Sequence, residues 1–191
     1  MISTLRSGWI AVALSVAAGL FATAAHAGPP SYSFYAGYGK MMEDGAPNGS
    51  FAFRANAFMM PDPVIGVGAE GGYTWLGKVP SGSATVGDID QNVYHFTANV
   101  RARGVQGSFR PYAIGGLGLY GLHASDNISS DTRTKFGFNI GGGISHKFPD
   151  SGTGLGLEAR WHMVPNGAID TSTLEESTLD VLTVTAGVDF N

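Results

Sequence analysis

From Ile65 to Trp75 every second residue is apolar or small (Ile65, Val67, Ala69, Gly71, Tyr73, Trp75), while the row between them reads Val64, Gly66, Gly68, Glu70, Gly72, Thr74. Only an extended strand sends alternate side chains to opposite faces, so this segment has one greasy wall and one wall of glycine, hydroxyl and charge. The pattern recurs. Tyr94, Phe96, Ala98, Val100 and Ala102 oppose His95, Thr97, Asn99, Arg101 and Arg103, and Leu155, Leu157, Ala159, Trp161 and Met163 oppose Gly154, Gly156, Glu158, Arg160 and His162. A chain built from such segments reads as an antiparallel barrel with two unlike walls.

Charge decides which solvent the barrel meets. Asp, Glu, Lys and Arg make up 14% of the chain, against roughly 25% in an average soluble domain, which is too little to cover a water-facing surface. After the first 27 residues no window approaches the eighteen or so uninterrupted apolar residues of a spanning helix. Strands that cross a bilayer reconcile the two facts, because a closed barrel pairs every backbone group inside hydrocarbon.

Residues 1–27 carry one charge, Arg6, then an apolar stretch from Trp9 to about Ala24, then Ala25-His26-Ala27. Small residues flanking one arbitrary residue are the mark of signal-peptidase cleavage, so 1–27 is expected to be a secretory signal, with Ala25 and Ala27 defining the cut. The mature chain, 28–191, is expected to form one barrel domain. Cysteine is absent, so disulfides, thiolate metal sites and a lipidated N-terminal cysteine are excluded. Fifteen acidic residues outnumber eleven basic ones, and no basic cluster offers a phosphate-binding surface for nucleic acid.

Turn residues divide the chain into eight expected strands at 31–41, 50–59, 63–76, 91–103, 110–122, 133–147, 153–163 and 177–190. The connections alternate between short turns (around Pro61, Gly104–Phe109 and Pro149) and longer polar loops (Met42–Gly49, Leu76–Asp90, Ala124–Asp131, Val164–Glu176). Short turns on one rim and long loops on the other are expected of outer-membrane barrels, with the short rim in the periplasm. A soluble up-and-down barrel would show the same alternation with its faces exchanged. Glycine separates the two readings: Gly66, Gly68, Gly72, Gly137, Gly141, Gly143, Gly154, Gly156 and Gly187 all fall on the polar row. Glycine weakens a strand unless space is scarce, and the narrow lumen of an eight-stranded barrel is where space is scarce. The polar row therefore points inward. Residues 111–120 are apolar on both rows and leave the orientation of strand five open.

These residues resemble the family of small outer-membrane β-barrels typified by the membrane domain of OmpA and by OmpX. The likeness rests on the third-strand pattern Gly66-Val67-Gly68-Ala69-Glu70-Gly71-Gly72-Tyr73, on Arg110-Pro111-Tyr112 leading into a glycine-rich strand, and on the ending Thr185-Ala186-Gly187-Val188-Asp189-Phe190-Asn191. It implies an all-β, eight-stranded, up-and-down transmembrane barrel in the outer membrane of a Gram-negative bacterium. It also implies contact with outer-membrane lipid and lipopolysaccharide. Gly187 and Phe190 then belong to the terminal signal read by the barrel-assembly machinery.

Arg54, Glu70, Arg101, Glu158 and Arg160 are the charges on the inner row, and confinement requires them to pair. Counting back through the turn after strand two makes positions summing to about 123 neighbours, which brings Arg54 level with Glu70. The expectation is an ion-pair network that plugs the lumen and gives the protein a structural or surface-interaction role. A narrow porin-like channel is the alternative. A lipid A-modifying enzyme is the third reading, suggested by Glu158 to Gly167 around His162. That stretch resembles the lipid A deacylases of the eight-stranded barrel type, which carry a serine two residues after the histidine; here Val164 stands in that place, so the nucleophile the resemblance implies is missing. No metal-ligand spacing and no cofactor motif occurs, and the expected cofactor is none. Outer-row aromatics (Tyr73, Trp75, Tyr94, Trp161, Phe190) suit interfacial girdles. The acidic loop residues Asp88, Asp90, Asp126, Asp131, Asp170, Glu175 and Glu176 leave room for a surface ligand at the loops.

Overall fold

The structure, a computed structural model, describes residues 30–42, 49–80, 88–104, 107–125, 130–169 and 176–190. Eight strands follow one another: β1 (Ser31–Met41), β2 (Ser50–Met59), β3 (Ile65–Pro80), β4 (Asp88–Arg103), β5 (Phe109–Ser125), β6 (Ser130–Lys147), β7 (Thr153–Ile169) and β8 (Glu176–Phe190). Each pairs antiparallel with its neighbours, and β8 returns to β1, closing the barrel. The closing seam runs from Tyr32 opposite Phe190 to Met41 opposite Val181. Closure leaves no unpaired strand edge, the condition that hydrocarbon imposes on a sheet.

The short turns are built from residues that suit tight reversals. In the turn between β2 and β3, the Asp62 carboxylate accepts hydrogen bonds from the backbone N–H groups of Val64 (2.8 Å) and Ile65 (3.4 Å). The turn between β6 and β7 places Asp150 and Gly152 at φ of 60° and 64°, a region that aspartate and glycine tolerate better than most residues.

On the opposite rim the strands run further than the sequence suggests. Strands β3, β4, β5, β6 and β7 extend beyond the expected ends, so much of what reads as polar loop continues the barrel wall. Lys78 pairs with Asp90 across β3 and β4, and His123 with Thr132 across β5 and β6. Trp75 donates its indole N–H to Asp90 Oδ1 at 2.6 Å. Polarity misleads here because a strand that has left the membrane no longer needs an apolar outer row, yet its hairpin ladder still pairs. Two bulges lie in this extension, between Trp75 and Gly77 and between Val164 and Ala168. Gly77 (φ 96°) and Asn166 (φ 53°) supply the left-handed backbone that they require.

The two walls point as their chemistry dictates. Phe34, Phe53, Phe96, Leu117, Phe138, Leu157 and Val184 are exposed on the outside, while Arg54, Glu70, Thr97, Asn139, Glu158 and Arg160 are buried inside. For β5, the sequence's ambiguous strand, Tyr112, Ile114 and Tyr120 face inward and Leu117 and Leu119 outward. Register explains the assignment: Gly116 and Gly118, on the inner row, lie where any Cβ would strike the backbone of β4. Inner-row glycines elsewhere make room for large side chains. A Cβ at Gly156 would meet the Tyr35 side chain, and one at Gly137 the Tyr120 ring.

Arginine at Leu117, which sits on the outer row opposite Ala98 and Phe138, is expected to cost about 2–4 kcal/mol of folding free energy in a bilayer. Denaturant unfolding of the protein in lipid vesicles checks this, and an unchanged midpoint would contradict the assigned orientation of β5.

Candidate functional site: the lumen

The barrel interior is stacked in layers along its axis. At its centre are four charges, Arg54 from β2, Glu70 from β3, and Glu158 and Arg160 from β7. Arg160 joins both carboxylates, donating from Nη1 to Glu70 Oε1 at 2.5 Å and from Nε to Glu158 Oε1 at 2.7 Å. Arg54 approaches Glu158 Oε1 at 2.7 Å and Glu70 Oε2 at 3.5 Å. These are charge contacts, since its Nε and Nη2 make no aligned hydrogen bond. The four side chains have 0–3% of their surface exposed. Two cations and two anions leave no formal charge in the quartet, which is what makes so buried a cluster tolerable.

Ring side chains surround it. Tyr112 donates its hydroxyl to Glu158 Oε2 at 2.9 Å, and His95 Nε2 lies 3.2 Å from Glu70 Oε1. The Arg54 guanidinium stands 4.7 Å from the centre of the Tyr35 ring, close enough for a cation–π contact.

Toward the long-loop rim, His95, Tyr120 and His162 pack ring on ring, with His95 and His162 centroids 5.0 Å apart. The Tyr120 hydroxyl is 3.1 Å from His162 Nδ1. Above them the lumen turns apolar. Met41, Leu76, Val93, Tyr120, Val164, Leu179 and Val181 form one buried cluster across the barrel.

The expected lumen charges divide. The structure brings Arg54, Glu70, Glu158 and Arg160 together and leaves Arg101 apart, one layer nearer the short-turn rim. There its guanidinium lies 4.0 Å from the Phe58 ring centre and 4.7 Å from that of Tyr112. The register also differs from the count through the turn. Arg54 is opposite Gly72, and Asn56 is opposite Glu70. Residues 60–64 form a wider turn than the count allowed, and the long Arg54 and Glu70 side chains close the gap diagonally. Arg103, assigned to the inner row, sits at the rim with its Nε donating to the Pro63 carbonyl at 3.1 Å.

The remaining expected residues fall as follows. Gly187 faces the lumen opposite Tyr35, and Phe190 lies outside, edge-on to Phe34 at 6.3 Å between centroids. The cleavage residues Ala25 and Ala27 lie outside the described residues, as do Asp126, Asp170 and Glu175. Three features of the site went unforeseen: Tyr35, Tyr112 and the apolar layer. The apolar layer leaves a signal in the sequence, since the inner row turns apolar near the loop rim at Met41, Val93 and Val181, but Val164 reads as the start of a loop.

With this geometry in hand, comparison with known proteins gives the family. The outer membrane protein beta-barrel domain family matches residues 10–191. The chain belongs to that family. Solved structures agree on the fold. Neisserial surface protein A is 17% identical with a TM-score of 0.67, the alignment covering 86% of this chain and 97% of that one. The N-terminal β-barrel domain of OprF from Pseudomonas aeruginosa is 13% identical with a TM-score of 0.54, covering 84% and 96%. Ail of Yersinia pestis, solved in complex with the heparin analogue sucrose octasulfate, is 19% identical with a TM-score of 0.53, covering 84% and 97%. Comparison with curated proteins finds no match. The protein is thus an outer-membrane β-barrel of the Gram-negative type, surrounded by lipid.

Replacing Arg160 by Met removes one cation from beneath two enclosed carboxylates and is expected to destabilise the barrel by about 3–5 kcal/mol. Adding Glu158→Met to that variant should restore part of the loss, because the orphaned charge goes with it. Equilibrium unfolding in vesicles measures both, and a double variant less stable than Arg160→Met would contradict the pairing.

Proposed function

We propose that this barrel is a closed scaffold in the outer membrane, with a structural or surface-interaction role, that neither conducts solutes nor catalyses a reaction. One observation carries the reading: a quartet of paired charges and, toward the long-loop rim, an apolar cluster of seven buried side chains lie across the lumen at successive levels. An ion crossing it would have to displace paired charges in a confined space and then shed its hydration among Leu76, Val164 and Leu179, so both layers oppose passage by different physics.

The same layering supports the absence of catalysis. His162, the one histidine in the enzyme-like stretch, is buried in the lumen and held by Tyr120, with Thr183 Oγ1 at 3.5 Å from its Nε2. A lipid substrate arrives at the outer wall, and His162 points away from it. What remains for function is the outside of the molecule. The apolar belt and its aromatics, among them the Phe53–Tyr73–Tyr94 row, suit contact with membrane lipid and lipopolysaccharide. The strand extensions at the long-loop rim present polar side chains such as Lys78, Asp90 and Thr132, which a surface ligand could meet. Gly187 and Phe190, at the closing seam, suit recognition by the assembly machinery before β8 seals against β1.

Planar-bilayer recording with purified protein tests the reading. The expected result is an unbroken baseline across the accessible voltage range, and a steady, sizeable open level would replace the scaffold with a narrow channel.

A further inference from the structure

The lumen's short-turn mouth is chemically unlike the rest of the interior. A small open cavity of about 30 Å³ there is lined by Arg101, Arg103, Arg110, His146 and Lys147 together with one acid, Asp189. Among the described residues no other acid lines it. Asp189 already accepts a hydrogen bond from the Tyr35 hydroxyl at 3.1 Å. The central quartet solves the problem of buried charge by exact neutrality of sign, whereas this mouth gathers four permanent cations around one carboxylate.

Arg101 is the informative member. Its residue surface is 9% exposed, and rings of Phe58 and Tyr112 lie within 4.7 Å of the guanidinium. Contacts with the rings leave the hydrogen-bonding capacity of its edges to other groups. Nε and Nη2, which together make a two-point fork, are buried without a hydrogen-bond partner, and so is Arg110 Nε. A buried donor left bare costs free energy comparable to the hydrogen bond it forgoes, and more when it is charged. The nearest carboxylates in the quartet do not serve these donors: Glu158 is engaged by Arg160 and by Tyr112.

We propose that this mouth is an oxyanion site that takes one phosphate group, with the Arg101 fork as its base and Arg103, Arg110 and Lys147 as its walls. Phosphate fits better than a single carboxylate because its charge approaches the local excess of cations and its oxygens face several directions at once. The cavity accommodates only a small group. The phosphate therefore arrives either as a free ion or as the exposed end of a lipid headgroup that reaches over the rim. The site is independent of whether the lumen above it conducts.

The experiment uses the full barrel in octyl glucoside, which carries no phosphate, at low salt, with inorganic phosphate titrated by calorimetry. Saturable one-to-one binding that weakens with added salt is expected, and Arg110→Gln should weaken it by about tenfold, the scale of a lost charge-assisted bond. Arg101→Gln should weaken it further, and the rim position of Arg110 keeps the test decisive if the Arg101 variant folds poorly. Phosphatidic acid in mixed micelles is then compared with diacylglycerol as a competitor. Competition by phosphatidic acid alone upholds the site with a lipid-borne phosphate, and absence of competition alongside intact phosphate binding upholds it with the free ion. No saturable binding by the wild-type protein, or equal affinity in a folded Arg110→Gln variant, overturns the proposal.

Discussion

Two carboxylates and two guanidiniums, buried together on the barrel axis, hold the centre of this barrel together. Glu70 and Glu158 are each about 1% exposed, and a charge so placed costs several kcal/mol unless it is matched. The match comes from strands far apart in sequence: Arg160 of β7 reaches Glu70 of β3 across the lumen, ninety residues away. The bridge ties opposite walls of the cylinder, so that the network helps fix which strands face one another as well as filling the interior.

The rest of the interior follows from that demand for space and neutrality. Long side chains from β2, β3 and β7 meet on the axis, which obliges residues behind them to be small. Gly72 leaves the room that the His95 ring occupies, and Gly141 lies against Arg160. Where the charges end, the lumen changes solvent in both directions. Toward the long loops it becomes an apolar layer, and toward the short turns it opens into a basic mouth. A single polar pore would have kept one character from rim to rim. This interior instead changes character twice between its rims.

Much of this was legible in the chain, because a closed membrane barrel writes its wall orientation into every second residue. The eight strands and their order follow from alternation and turn residues, and the inner-wall position of Arg54, Glu70, Arg101, Glu158 and Arg160 follows from alternation and glycine placement. The failures have physical causes. In β5, glycine on both rows and apolar residues on both, Ile114 inside and Leu117 outside, erase the contrast that reveals direction, so Tyr112 and Tyr120 are not recognised as lumen residues from the sequence. Strand ends beyond the bilayer lose their apolar row and read as loops, which hid Val164 and with it the apolar layer. The Arg54–Glu70 pairing was anticipated through a register wrong by about three residues. It survives because long side chains reach diagonally across a pair of strands. Arg101 sat on the expected wall but outside the network, and only ring packing against Phe58 and Tyr112 distinguishes it.

The orientation of the two walls is most directly tested on β4, using single cysteines introduced one at a time into this cysteine-free chain and labelled with nitroxides in a bilayer. Collision with oxygen should be high at Tyr94, Phe96, Ala98 and Val100 and low at His95, Thr97 and Asn99, with a period of two, while a water-soluble nickel chelate should reach neither row in the membrane interior. Access of the chelate to Thr97 and Asn99 would contradict the account, for it would mean that the row built around Glu70 and Arg160 is open to water.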